Sequence, residues 1–114
     1  MRHDDVVRLS HMLDSAREAV SFISGKARDD LNEDRKLTLS LVKSIEIIGE
    51  AASKVSEDAR AASPSIPWQD ITAMRNRLIH AYFDINLDIV WDTVMVELPP
   101  LISELEKILE LDIR

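Results

Sequence analysis

Apolar residues recur every three to four positions along this 114-residue chain, which is the spacing of amphipathic α-helices. The first stripe predicts a helix over about Asp4–Ser24, with Gly25 as the residue beyond its end. The second stripe predicts a long helix over Asp30–Ala62. In this helix, the Asp30–Glu33 segment resembles a capping box at the start. Gly49 lies inside the helix and is expected to allow another helix to approach closely.

The second half of the chain contains a clear break followed by two more helical stripes. The proline-containing segment Ser63–Pro67 interrupts the pattern, and a third helix is predicted from Trp68 onward. Asn86 is predicted to cap a fourth helix, which Pro99 and Pro100 would kink or split. No internal repeat or composition shift divides the sequence. The pattern predicts one all-α domain over residues 1–114, an antiparallel bundle of four to five helices.

Composition agrees with a folded helical protein. Apolar residues make up 46% of the chain and charged residues 31%, and only two glycines are present. The absence of cysteine excludes disulfides and thiolate metal sites. The N-terminus is charged, unlike a signal peptide, and no apolar run approaches the ~20 residues that span a bilayer. We therefore expect a cytoplasmic protein without a membrane segment.

The net charge of −7 argues against broad binding to nucleic acid, because contact with a phosphate backbone usually needs a basic face. If the chain acts on RNA, it should hold it through a small basic patch that a dimer could duplicate. The same acidity also suits a chain whose main partner is another protein.

The segment from Arg75 to Tyr82 concentrates the side chains that can carry chemistry. An arginine and a histidine are the minimum set for cleaving a phosphodiester without a metal, since one moves a proton and the other neutralises growing charge. On a straight helix, Asn76 would lie on the same side as His80, whereas Arg75 and His80 would lie about 140° apart. Either the helix loosens near His80, or a second protomer completes the site.

This segment resembles the R-polar-x(4–6)-H motif of HEPN domains, and more narrowly the R-x4-H-x-Y motif of HepT-type toxins. The likeness extends over most of the chain, and the motif shows no departure from the family's pattern. The stretches that carry it are Ser44–Ala52, Ile66–Trp68, Met74–Tyr82 and Ile89–Trp91.

The resemblance implies an all-α, dimeric, metal-independent endoribonuclease that needs no cofactor. It implies that Arg75 and His80 are the catalytic pair, that Asn76 supports them and that Tyr82 is a regulatory residue. HepT-type toxins are typically encoded with an MntA-type nucleotidyltransferase antitoxin, which transfers AMP onto the tyrosine of the motif. The resemblance therefore implies such a partner for this chain, with Tyr82 as the modified residue. A larger assembly with the antitoxin is a further expectation. Arg77 is a candidate RNA contact.

Some of these residues also allow a purely structural interpretation, and the whole chain allows a non-catalytic one. Tyr82 shares a helical face with apolar residues and could pack in a core or interface. Glu46 and Glu50 are expected to form a solvated or ion-paired face, balanced by Lys43 and Lys54. Trp68 and Trp91 are expected in the core: two tryptophans are too few for base stacking. The alternative function is a non-catalytic helical partner or regulator of a nucleotidyltransferase.

Overall fold

The computed structural model describes residues 1–81 and 84–113, with only the backbone described at 79–81 and 111–113. The chain forms helices joined by short connections, with one small β-hairpin between them. The helices are α1 (His3–Phe22), α2 (Asp30–Glu33), α3 (Arg35–Ser53), α4 (Glu57–Ala62), α5 (Trp68–Thr72), α6 (Met74–Leu78), α7 (Leu87–Asp92) and α8 (Leu98–Ile113). Strands β1 (Ile79–Ala81) and β2 (Asp84–Ile85) form the hairpin, and a π-helical turn (Thr93–Glu97) joins α7 to α8.

Helix α1 packs mainly on α3 and α8, and these three helices enclose most of one apolar core. The core residues follow the helical stripes of the sequence, and the all-α class is confirmed. The largest fully buried apolar side chains are Leu9, Met12, Leu41, Ile45, Ile48, Leu78, Val90, Val94, Leu98 and Leu105. Among the described helices, none combines the length and apolar composition that a bilayer crossing requires.

The first predicted helix is confirmed, but the second is three separate helices. Helix α1 ends at Phe22, two residues earlier than predicted, and Gly25 has its left-handed φ of +75° in the turn that follows the C-cap residue Ile23. The predicted Asp30–Glu33 capping box is wrong, because the Asp30 carboxylate accepts from the Ala27 N–H at 2.7 Å instead. The cap of the long helix α3 is Asp34, whose side chain accepts from the Leu37 N–H at 3.0 Å. Residues 32–36 are all polar, and the apolar stripe of α3 begins only at Leu37, so the stripe does not show whether the helix starts at Asp30 or at Asp34.

The predicted third helix begins at Trp68 as expected but ends at Leu78. Beyond Leu78 the chain is extended, and β1 pairs antiparallel with β2. The Leu78 carbonyl accepts from the Asn86 N–H at 2.7 Å, so a partner outside the helix satisfies it. A straight helix through Tyr82 is therefore wrong. Tyr82 itself and Phe83 lie outside the described residues.

The fourth predicted helix is interrupted before its two prolines rather than at them. Asn86 caps α7 as predicted, with its side chain accepting from the Ile89 N–H at 3.1 Å. Pro99 and Pro100 lie in the first turn of α8, where a missing N–H costs little. The wider π-helical turn before them accommodates their rings, which would clash with preceding carbonyls in a regular α-helix.

Asp5 ties the start of α1 to the start of α4. Its side chain is 4% exposed and accepts from the Ser56 N–H at 2.9 Å and the Ser56 hydroxyl at 2.7 Å. These two hydrogen bonds, the backbone one first, lower the pKa of Asp5 below its ordinary value of 3.8, although burial opposes the shift. The ionised carboxylate is therefore favoured by the folded state.

We expect Asp5→Asn to lower the free energy of unfolding at pH 7 by about 1–3 kcal/mol, because it weakens hydrogen bonds to a buried charge. Since the folded-state pKa is lowered, this stabilisation is present above pH 3.8 and disappears as the pH falls through the folded-state value. Urea unfolding at a series of pH values measures the difference between variant and wild type. Asp4→Asn, on the exposed neighbour, is the control. A difference that stays constant into strong acid would contradict this account.

Candidate active site

The motif segment is held by the apolar side of α5 and α6. Ile71, Met74 and Leu78 are buried, as their spacing predicts, with exposures of 2%, 3% and 0%. Burial of this side leaves the residues between Met74 and Leu78 on the protein surface, and both arginines of the motif are exposed. The local fold therefore presents the polar part of the motif to solvent.

Arg75 forms an ion pair with Glu46 of α3. The Arg75 Nε donates to the Glu46 Oε1 at 3.2 Å, and the two side chains are 58% and 30% exposed. The predicted solvated or ion-paired role of Glu46 is confirmed, but its partner is Arg75 rather than Lys43 or Lys54. The two residues lie 29 positions apart on different helices. Periodicity within one helix therefore carries no signal for the pair.

Arg77 is also engaged by the protein itself. Its Nη2 atom lies 3.6 Å from Glu97 Oε1, at the end of the π-helical turn, with both side chains 42% exposed. The same nitrogen donates to the Asp70 carbonyl at 3.4 Å. Arg77 thus braces α6 against two other elements while its side chain remains partly open to solvent.

His80 belongs to β1, and its backbone lies where the β-ladder is irregular. Ile79 pairs with Ile85 and Ala81 pairs with Asp84, so the register shifts between these two rungs, at His80. Such irregularities redirect side chains and are frequent beside functional sites. The side chain of His80 lies outside the described residues. The expected i,i+4 relation between Asn76 and His80 is wrong, because the helix ends between them.

Gly49 explains how α3 comes close enough to reach Arg75. A Cβ atom built on Gly49 would lie 3.1 Å from the Ile71 carbonyl oxygen of α5. Real Cβ contacts are rarely this short, so only glycine leaves the two helices this close without a shift. The predicted packing role of Gly49 is confirmed. Glu46 lies one turn before it and faces α6.

The remaining candidates have structural roles. Glu50 pairs with Lys54 at 3.3 Å, as expected for an ion-paired helix face. Trp68 is 9% exposed and Trp91 is partly buried against the core, which confirms both as packing residues. Within the described part of the chain, His, Asp and Glu side chains form no group of three or more that could hold a metal ion. Independence from metals stays a prediction.

The motif arginines lie on an open surface. A cleft of about 410 Å³ lies instead beside Asp5, Ser56 and Trp68, at another part of the bundle, and its lining does not include the motif. A smaller cleft of about 220 Å³ adjoins β2 and includes Arg35 and Asp84.

Comparison with known proteins identifies the family. Residues 12–108 match the family described as "HepT-like: Ribonuclease HepT-like". The chain is 35% identical over 102 residues to a protein named "Putative RNase" from Caldanaerobacter subterraneus subsp. tengcongensis, a match that covers 90% of this chain and 91% of that protein. It is 34% identical over 100 residues to "Probable ribonuclease HepT" from Thermococcus cleftensis, covering 84% of this chain and 91% of the relative.

A "Putative RNase" from Methanocaldococcus jannaschii is 33% identical over 102 residues, covering 90% of this chain and 84% of the relative. A comparison with solved structures gives no match. The class defined by fold and motif is thus a small helical protein of the HEPN type. The chain belongs to the HepT-like ribonuclease family.

Proposed function

We propose that this protein is a metal-independent endoribonuclease toxin of a toxin–antitoxin pair, with Arg75 and His80 as its catalytic pair. The observation that carries the proposal is an intact R-x4-H-x-Y motif in a chain of the HepT-like ribonuclease family. Asn76 supports the pair, and no cofactor takes part. The expected site of action is the cytoplasm, where RNA substrates are available.

The local fold supports this assignment in two ways. Arg75 is exposed and anchored at Nε, so its terminal amino groups can face a bound phosphate. The chain leaves the axis of α6 after Leu78, which removes the obstacle of a straight helix separating Arg75 from His80. This loosening is the first of the two arrangements that the motif spacing allows.

The chemistry follows from the structure of RNA. The ribose 2′-oxygen attacks the neighbouring phosphorus and loses its proton to a base, while an acid donates a proton to the departing 5′-oxygen. His80 can take either role, since a histidine with an unperturbed pKa of ~6.5 exchanges protons near neutral pH. Arg75 stabilises the charge that builds on the non-bridging oxygens. The products are a 2′,3′-cyclic phosphate and a 5′-hydroxyl.

A homodimer would supply the second wall of the site. Met95 and Val96 are apolar side chains with exposures of 50% and 65%, and exposed apolar patches commonly mark interaction surfaces. Glu97 follows them directly and pairs with Arg77, so this patch borders the motif helix. We assign Met95 and Val96 to the dimer interface, where two copies of Arg75 would share one cleft.

Regulation is proposed to act on Tyr82. An MntA-type nucleotidyltransferase would join the tyrosine oxygen to the α-phosphorus of ATP and release pyrophosphate. The added AMP is bulky and anionic, so it would fill the cleft and repel an RNA phosphate. Tyr82 is the single tyrosine of the chain, so any AMP group found on a tyrosine must be on Tyr82.

The acidic net charge favours a second candidate, a non-catalytic helical partner or regulator of a nucleotidyltransferase. This candidate needs no RNA contact, and its surface would serve only to hold the partner protein. The two functions differ in one outcome, because only a toxin should arrest growth when expressed alone.

We expect purified, unmodified protein to cleave tRNA or mRNA in the presence of EDTA and to leave 2′,3′-cyclic phosphate ends. Arg75→Ala should lower the rate by about 10²–10³-fold through loss of charge stabilisation. His80→Ala should lower it by about 10²–10⁴-fold through loss of proton transfer. The same oligonucleotide with a 2′-deoxyribose at the cleaved position should resist. Gel assays with end-group analysis measure these effects.

Arg17→Ala is the matched control, since Arg17 is a similarly exposed arginine paired with Glu106 on the α1–α8 side of the bundle. It should cleave RNA at the wild-type rate. If the wild type and His80→Ala leave all RNA equally intact, and the wild type is harmless on expression, the partner or regulator function is the better account.

Light scattering at micromolar concentration should give a dimer for the wild type. Val96→Asp should shift the equilibrium toward monomer, because it places a charge in an apolar contact. Leu39→Asp is the control, since Leu39 is an exposed apolar residue on α3 with 45% exposure. Dissociation by Leu39→Asp but not by Val96→Asp would place the interface on α3 instead, and a monomeric wild type would remove the shared cleft altogether.

Incubation with the nucleotidyltransferase partner and ATP should add one or more AMP groups, as measured by mass spectrometry of the intact protein. Tyr82→Phe lacks the accepting hydroxyl and should stay unmodified, while its toxicity should persist in the presence of the partner. Full neutralisation of Tyr82→Phe by the partner would remove the tyrosine from the regulatory scheme.

A further inference from the structure

The contact between Glu46 and Arg75 uses one specific nitrogen of the guanidinium group. Nε donates to the Glu46 carboxylate at 3.2 Å, so the contact is made by Nε rather than by the terminal nitrogens Nη1 and Nη2. A guanidinium is planar and presents its donors in a fixed fork, so fixing Nε also sets the direction of the other donors. The orientation of Arg75 is therefore coupled to a residue of another helix.

The carboxylate is itself placed by the core. Glu46 is 30% exposed, about half as exposed as Arg75, and it lies on α3 between the buried residues Ile45 and Ile48. The close approach at Gly49, one turn later, brings this part of α3 against α5 and hence against α6. The carboxylate therefore belongs to the long helix α3, which packs in the core, and the arginine belongs to the short helix α6.

We propose that Glu46 is a positioning residue for the reaction, which holds the Arg75 guanidinium so that its terminal amino groups face the scissile phosphate. This inference rests on the proposed ribonuclease function. Two parallel N–H donors match two non-bridging oxygens of a phosphate, and the match depends on the plane of the guanidinium. Glu46 touches neither substrate nor reacting atoms in this scheme and acts through Arg75.

The Glu46 carboxylate is expected to help catalysis by orienting Arg75 but to weaken the binding of RNA. The carboxylate repels RNA phosphate, so its removal should strengthen RNA binding while it loosens the arginine. The positioning role therefore predicts a specific kinetic pattern, in which kcat falls while KM falls or stays level. A mere surface ion pair would change neither constant, because exposed pairs contribute little to the fold.

RNA cleavage by Glu46→Ala should show a kcat about 10- to 100-fold below the wild-type value, a loss of the same size as that seen when residues that orient metal ligands are removed. Glu46→Gln keeps an oxygen that can accept from Nε, so its kcat should lie between those of wild type and Glu46→Ala. Glu50→Ala is the matched control, since Glu50 lies one turn away on α3 and pairs with Lys54. It should retain the wild-type kcat.

A double-mutant cycle separates positioning from a structural effect. In an Arg75→Ala background, Glu46→Ala should cause no further loss, because the residue it orients is absent. An equal loss in both backgrounds would overturn the proposal. So would a Glu46→Ala enzyme with unchanged kcat.

A second measurement keeps the inference testable if the protein does not cleave RNA. The Arg75 Nε–H resonance, assigned by its loss in Arg75→Lys, should exchange with water several-fold faster in Glu46→Ala than in wild type or Glu50→Ala. An unchanged exchange rate would refute the positioning of Arg75 whatever the activity. Slow exchange in wild-type protein together with uncut RNA would refute the proposed function and leave the Glu46–Arg75 constraint established.

Discussion

The missing side chain at Gly49 sets the distance between α3 and the segment that bears the motif. A Cβ atom at this position would lie 3.1 Å from the Ile71 carbonyl oxygen, so a larger residue would require α3 or α5 to shift by a few tenths of an ångström. A few tenths of an ångström matter here, because the Arg75–Glu46 hydrogen bond is already 3.2 Å long. Glycine weakens a helix by about 1 kcal/mol relative to alanine. Close packing of the two helices offsets this cost and brings the carboxylate to the arginine.

The end of α6 at Leu78 is the second constraint, and two interactions of Leu78 produce it. The Leu78 side chain is fully buried, which fixes the last turn of the helix in the core. Its carbonyl accepts from the Asn86 N–H rather than from a continuing helix, and the Asn86 side chain begins α7. Asn86 therefore contacts the end of α6 through its backbone N–H and caps the start of α7 through its side chain. The motif spans this junction, with Arg75 on the rigid side and His80 in the hairpin.

Sequence reasoning predicted the features that depend on near neighbours. The apolar faces, the Asn86 cap and the core tryptophans all follow from residues within one or two helical turns. The break at Asp34 was missed although it is local, since Asp34 caps the Leu37 N–H and Asp30 offers a similar helix start four residues earlier. The break at Leu78 escaped it because it depends on the Asn86 N–H, a partner that helical spacing does not reveal. The Glu46–Arg75 pair escaped it for the same reason. The motif residues themselves were found by their chemistry and by family resemblance, whereas their arrangement required the fold.

The acidic chain and its basic motif are compatible once the ion pairs are considered. Arg75 and Arg77 are each held by one carboxylate from another element, at 3.2 Å and 3.6 Å, so the local charge is nearly balanced before any substrate arrives. Under the proposed function, such a site attracts RNA weakly over distance and recognises a phosphate mainly at contact, through oriented donors. A net charge of −7 elsewhere would discourage unproductive binding along the rest of the surface. Discrimination would then come from geometry at the cleft rather than from a broad electrostatic field.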